Sequence, residues 1–334
     1  MSFSTIIGHK VPIGLITSAI ERERLPNAYL FSGEESIGKR LVATTFAKAV
    51  NCLEKGLGPC NSCPSCRMIE GDIHPDVSTI VPDGTQIKIA QIRALQEKMI
   101  YKPYKGRRRV YIVDEADKMN LEASNSFLKT LEEPMGDTTI ILITSRPNSL
   151  PATLLSRCEQ IRFVPPPSDM IAGLLVKDKG MGYDEAMILS LISMGKVGVA
   201  LSAEQGELIQ ERDKIINLIP RLVDEGASGI FETSRDLSGL PGDMDKSICW
   251  LMIILRDILV FRESKDPSMI INRDRIEDIE SMGREVSASG IIKLINQIWD
   301  AERLVARNIN RQLTLDLLFI SIRDLFRSEG IGEY

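Results

Sequence analysis

The stretch Gly33-Glu-Glu-Ser-Ile-Gly-Lys-Arg40 decides the reading of this chain. It matches the phosphate-binding loop G-x-x-x-x-G-K-[ST] at every fixed position except the last, where Arg40 stands in place of a hydroxyl residue. Gly33 and Gly38 permit the tight backbone path that aims N–H groups at phosphate oxygens, and Lys39 would reach the outer phosphates. An apolar run, Asn27-Ala-Tyr-Leu-Phe-Ser-Gly33, precedes the stretch, and an amphipathic one, Arg40 to Val50, follows it. Strand, glycine turn and helix in that order are the context the motif requires. Arg40 offers no oxygen to a magnesium ion and puts a cation beside the place where that ion binds. The same eight residues therefore predict the fold and predict a defective phosphoryl-transfer site.

Outward from the loop, short apolar runs alternate with amphipathic ones. Strands are expected at 76–82, 109–117, 138–145 and 159–165, besides the one that enters the glycine loop. Helical spacing appears at 89–101, with Ile89, Ile92, Leu95 or Gln96, and Met99 on one face. A further helix is expected over 120–134, capped by Asn120 and stopped by Pro134. This alternation implies an α/β fold with a parallel, helix-covered sheet. Asp114 and Glu115 follow the apolar run Val110–Val113. In a phosphate-loop enzyme the first acid helps to hold the metal and the second polarises the attacking water; the plainer reading is a solvated pair at a strand end. Val164-Pro-Pro-Pro-Ser-Asp169 is a linker, because consecutive prolines continue neither a helix nor a central strand. Short helices with Gly and Ser breaks occupy 169–205, and long amphipathic helices are expected at 206–225, 243–264, 285–308 and 312–327.

Four of the six cysteines, Cys52, Cys60, Cys63 and Cys66, fall in a loop-rich segment. Two-residue spacers let neighbouring thiolates curl round one ion, and four of them close a tetrahedral structural zinc site. An iron–sulfur cluster and unmetallated thiols are the competing readings, although the ferredoxin pattern wants a later Cys-Pro that is absent here. Cys158 and Cys249 stand alone and read as small buried hydrophobes. His9 and His74 have no partner pattern and read as surface or core residues. The basic cluster Lys102, Lys105, Arg107, Arg108, Arg109 suits either a phosphate backbone or a solvated loop. Net charge is −5, from 41 basic and 46 acidic residues, which argues against coating nucleic acid by bulk charge. The N-terminal residues lack a secretory pattern, and the greasiest run, Cys249 to Leu255, is too short to span a bilayer. A cytoplasmic protein without membrane contact is expected.

Six pieces then combine: the near-loop 33–40, the cysteine insert 52–66, VDEADKMN (113–120), FLKTLEEP (127–134), SRC (156–158) and RNINRQLTLDLLFISIRDL (307–325). Carrying them, the chain resembles clamp-loader AAA+ proteins over its whole length. The resemblance implies a P-loop NTPase domain of AAA+/RecA-like fold over 1–167 with a zinc insert. It further implies a helical lid over 168–205 and an all-α collar domain over 206–334. It implies a hetero-pentamer with motor (gamma/tau) and delta subunits that acts on a sliding clamp and primer-template DNA. Arg157 of SRC is then an arginine finger, acting in trans at the ATP site of a neighbouring motor subunit. The chain's own site, Gly33, Gly38, Lys39, Asp114 and Glu115, would hold ATP or ADP weakly without hydrolysing it. Gly198 or Val199 stands where motor subunits carry a nucleotide-sensing arginine, and Thr144 or Ser145 occupies the other sensor position. Two alternatives stay open: a self-sufficient motor ATPase, and a zinc-dependent nucleic-acid-binding module.

Overall fold

The apolar runs around the glycine loop pair as strands of one parallel sheet. A computed structural model of the chain describes residues 2–54, 56, 58–100, 102–132, 136–202, 207–224, 230–231, 234, 243–305 and 311–329. It divides into two units, Met1–Ala186 with Ser193–Leu201, and Met187–Ile192 with Ser202–Tyr334.

In the first unit, β1 (Ala28–Ser32), β2 (Val77–Ile80), β3 (Arg109–Val113), β4 (Thr138–Thr144) and β5 (Glu159–Arg162) lie in the order β2-β3-β4-β1-β5. All four pairings are parallel. The central strands are buried on both faces, which is why they read as unbroken apolar runs. Alternate residues serve two cores. Tyr29, Phe31, Ile112 and Ile141 pack on the side of α1 (Lys10–Glu21) and α2 (Lys39–Asn51). Leu30, Tyr111, Ile140 and Leu142 pack on the side of α4 (Ile89–Met99) and α5 (Leu121–Glu132), with α3 (Pro64–Glu70) lying before β2. Asn120 caps α5 as expected, its Oδ1 accepting the Ala123 N–H at 2.8 Å; Pro134 lies outside the described residues. Short α6 (Ala152–Leu155) precedes β5. Beyond the proline linker come α7 (Ser168–Lys179), α8 (Tyr183–Ile192), whose residues from Met187 on belong to the second unit, and α9 (Val197–Ser202).

Two helices of this unit were not legible as such. Helix α1 carries Pro12 and Gly14, residues that argue against a helix in a one-dimensional reading, yet Pro12 sits in the first turn where its missing N–H costs nothing. Helix α3 begins inside the cysteine segment at Pro64, with Cys63 as its cap, so the segment is not loop throughout.

The second unit is helical among its described residues: α10 (Glu207–Asp224), α11 (Asp243–Ser264), α12 (Ile276–Glu285), α13 (Ala288–Val305) and α14 (Arg311–Glu329). Trp250, Ile254 and Ile258 of α11 are fully buried against Ile219, Ile279 and Ile322. The helix expected at 285–308 is α13, whose start lies a few residues later than expected. Val286 is extended and Ser287 Oγ accepts the Gly290 N–H at 3.1 Å, so α13 starts afresh under its own cap. Residues 307–310, which open the quoted C-terminal motif, lie outside the described set. No helix among the described residues is long and apolar enough to cross a membrane.

Candidate functional site

The parallel order places the ends of β1, β4 and β3 side by side, so whatever follows these strands meets at one edge of the sheet. Strand β1 delivers the glycine loop. Gly33 has φ +150° and a Cβ there would lie 2.5 Å from Phe163 O; Gly38 has φ +106° and starts α2. Both glycines are thus required by the path, as the motif implies. Lys39 is buried, and its Nζ donates to Gly33 O at 2.6 Å and to Glu34 O. Burial pushes its ammonium below the usual lysine range, against the pull of Asp114 and Glu35.

Strand β3 delivers Asp114 and Glu115. Arg40 Nη1 stands 3.6 Å from Asp114 Oδ2. Burial pushes the Asp114 carboxyl up, and the Arg40 guanidinium opposes that shift. Glu115, in left-handed backbone at φ +52°, pairs with Lys118. From β4, the Thr144 hydroxyl donates inward to Asp117 Oδ1 at 2.6 Å, while Ser145 Oγ reaches Glu35 Oε1 at 3.4 Å on the rim. A cleft of about 490 Å³ runs between these residues and Val197, Gly198 and Leu201. The five predicted nucleotide-site residues are therefore together, and Arg40 faces the carboxylate that a metal would need. The segment expected to lack a sensing arginine closes on the loop by its backbone: Gly198 N donates to Ser36 O at 2.8 Å, and a Cβ on Gly198 would meet that oxygen at 3.3 Å.

His9 was read as an ordinary histidine, and it is a core residue of this site. Its Nε2 donates to Ile37 O at 2.7 Å inside the glycine loop, and its ring meets Phe163 edge-on at 5.1 Å. The other ring nitrogen, Nδ1, has no partner among the described residues. Burial lowers its pKa below the ordinary 6.5. The folded state then declines a proton that the unfolded chain accepts. The stability is complete above 6.5 and declines as pH falls through that value, by up to about 1.4 kcal/mol per pH unit for one such group. His74, buried and also held low, acts in the same direction. The midpoint of urea unfolding is expected to drop between pH 7.5 and 5.5 and to drop less in His9→Gln; a flat profile would contradict the assignment.

Arg157 is not part of this cleft. It stands two residues before β5, at the N-terminal end of the sheet, whereas the glycine loop follows the C-terminal end of β1. It is exposed, its Nε donates to Glu132 Oε1 at 2.7 Å and its Nη1 to Thr153 O at 2.6 Å. Cys158 beside it is half-buried, and desolvation pushes its thiol up to about 12.

The Sγ atoms of Cys52, Cys60, Cys63 and Cys66 all lie within 4.8 Å of one another. Among the described residues no other group of metal-capable side chains is so gathered. Backbone N–H groups point at three of the sulfurs: Cys60 N to Cys52 Sγ (3.4 Å), Cys63 N to Cys60 Sγ (3.3 Å) and Cys66 N to Cys63 Sγ (3.5 Å). Donors aimed at sulfur favour the thiolate over the thiol, so the donor set fits a zinc ion. Sequence reasoning missed the polar residues that flank this cluster. Asn51, Ser65 and Asp76 are all buried, yet in sequence they resemble any turn residues.

A family model described as DNA polymerase III, delta subunit, matches residues 8–167, and one for the C-terminal part of that subunit matches 208–323. The DNA polymerase III subunit delta-prime of Bacillus subtilis is 30% identical over 315 residues, covering 93% of this chain and 94% of that protein. The protein of the same name from Pseudomonas aeruginosa is 27% identical over 314 residues, covering 90% and 92%. The B. subtilis subunit tau is 26% identical over 318 residues, 88% of this chain and 56% of that protein. A DNA polymerase III gamma subunit-related protein of Thermotoga maritima superposes with a TM-score of 0.43 at 20% identity, covering 94% of this chain and 99% of that one.

Proposed function

The chain belongs to the DNA polymerase III delta-prime subunit family, and from that membership we propose that it is a non-hydrolysing stator of the clamp loader. It donates Arg157 as an arginine finger to the ATP site of an adjacent motor subunit of the gamma/tau kind. The assembly, a hetero-pentamer with delta, loads the sliding clamp onto primed DNA. In this reading residues 1–167 form the AAA+ domain, 168–205 the lid and 206–334 the collar domain, and zinc is held by Cys52, Cys60, Cys63 and Cys66.

The observation that carries the proposal is the Arg40–Asp114 pair at 3.6 Å. Position 40 supplies no side-chain oxygen and the carboxylate already faces a guanidinium, so these residues do not fit the magnesium ion that phosphoryl transfer needs. The Gly198–Ser36 hydrogen bond supports the same reading, since it fastens the lid segment to the loop without a nucleotide-sensing side chain. Placement of Arg157 at the opposite end of the sheet from the loop supports action on a different subunit. Any nucleotide taken up at Gly33, Gly38 and Lys39 would be held by backbone N–H groups and one ammonium.

Steady-state hydrolysis separates this reading from a self-sufficient motor. The purified chain is expected to hydrolyse ATP at background rate, and its addition to motor and delta subunits is expected to raise the turnover of the mixture. Robust turnover by the chain alone would overturn the proposal.

A further inference from the structure

The basic stretch between α4 and β3 divides into two parts. Arg108 and Arg109 turn inward: Arg108 Nε donates to Thr139 Oγ1 at 2.7 Å, and Arg109 Nη1 to Lys98 O at 2.7 Å. These two are structural, and the five-residue cluster read from the sequence shrinks accordingly. Lys102, Lys105 and Arg107 are exposed, with Tyr104 at 80% exposure among them. None of these three cations has a carboxylate partner among the described residues.

The loop that carries them is pinned from below. Asp76, 2% exposed, accepts the backbone N–H groups of Tyr104, Lys105 and Gly106, each at 2.7 Å. Asn51, 1% exposed, accepts the Arg108 N–H at 3.0 Å. Gly106 is obligatory here, because a Cβ would lie 2.5 Å from Asn51 Oδ1. Both anchors lead to the cysteine insert. Asn51 directly precedes Cys52. Asp76 N donates to His74 Nδ1 at 3.1 Å, and His74 Nε2 meets Ser65 Oγ at 3.2 Å, one residue from Cys66.

We propose that the loop 102–107 is a preformed contact for the phosphate backbone of nucleic acid, held in shape by the cysteine insert. A surface loop with this many buried acceptors has given up its freedom before any partner arrives, so binding costs it little further entropy. Three cations with a tyrosine ring among them suit a phosphodiester chain, which offers bases or sugars to stack on as well as charge. An acidic protein surface offers charge alone. Since the whole chain carries −5, attraction to a polyanion has to be local, as a loop of this kind would make it. The inference is independent of Arg157 and stands or falls apart from the stator reading.

The test is fluorescence anisotropy of labelled primer-template DNA titrated with the full chain at several salt concentrations. Three phosphate contacts predict a slope of log K against log salt of about −2.7. The variant Lys102→Ser/Lys105→Ser/Arg107→Ser, all exposed positions, is expected to keep its melting temperature, lose roughly tenfold or more in affinity and lose most of that slope. Chelation of the full chain is expected to abolish the hydrogen-exchange protection of the 104–106 amides and to weaken DNA binding alongside. The proposal is overturned if wild type fails to bind DNA at low salt or if the triple variant binds unchanged. It is equally overturned if chelation leaves both protection and affinity intact, or if poly-glutamate competes as well as DNA.

Discussion

Replacing Arg157 with alanine is expected to slow ATP hydrolysis at the adjoining motor subunit's site by about 10³-fold or more, with this chain still folded and assembled. The size follows from the chemistry of a transferring phosphoryl group, whose charge spreads over oxygens that a planar guanidinium can meet with two donors at once. The tolerance follows from the surroundings. Arg157 is exposed, and its partners are a half-exposed Glu132 carboxylate, the carbonyl Thr153 O and, at 3.5 Å, the Ser156 hydroxyl. An exposed pair of this kind contributes at most about 1 kcal/mol to stability. A defect in turnover would thus report on chemistry rather than on folding. Arg157→Lys keeps the charge but not the fork, and is expected to recover only a small part of the rate. The measurement is single-site turnover in the reconstituted complex, with nucleotide affinity of the motor followed in parallel. Since a finger acts mainly on the transition state, the rate constant should fall far more than the affinity. Full-speed turnover in the alanine variant would remove the trans role altogether.

How far the sequence carried this picture depends on the range over which each signal acts. The glycine loop was legible because its strand, turn and helix are contiguous, and both glycines prove obligatory at φ +150° and +106°. The pairing of Arg40 with Asp114 was legible only as chemistry, a cation at a place that wants a hydroxyl. The two residues meet because β4 lies between β1 and β3, an order that no local pattern encodes. Arg108 and Arg109 looked like their exposed neighbours, and only the tertiary carbonyl and hydroxyl acceptors on Lys98 and Thr139 separate them. Asp76 was invisible for the same reason. It sits just before a strand, where aspartate is common, and its role appears once the loop at 104–106 folds over it. In the second unit α12 falls between two of the helices expected from the sequence. Its apolar positions Ile276, Ile279 and Met282 nevertheless face the core at helical spacing.

Removal of the metal proposed for the cysteine insert is expected to unfold that insert while the sheet survives. Apart from their own sulfurs the cysteines have little core: Cys52, Cys63 and Cys66 are buried against one another, with Cys60 packed on them. Gly56, Gly58 and Pro59 interrupt the span between Cys52 and Cys60, a composition that disfavours a helix or a strand there. Nearby, burial pushes the Cys66 thiol up to about 12, whereas the Ser62 hydroxyl and the Cys63 N–H hold Cys60 near 6. A zinc ion held by Cys52, Cys60, Cys63 and Cys66 would require all four sulfurs as thiolates, and binding of this kind is worth on the order of 10 kcal/mol in small zinc domains. Elemental analysis is therefore expected to find one zinc per chain in the wild type and to find it lost in Cys66→Ser. Exchange protection should disappear across 52–66 yet persist in β1, β3 and β4, whose residues belong to the two separate sheet cores. Visible absorbance from an iron–sulfur cluster in protein purified without air would replace zinc as the occupant. Intact protection after complete metal removal would mean that the four cysteines hold their fold without any ion, and that the insert is thiol packing alone.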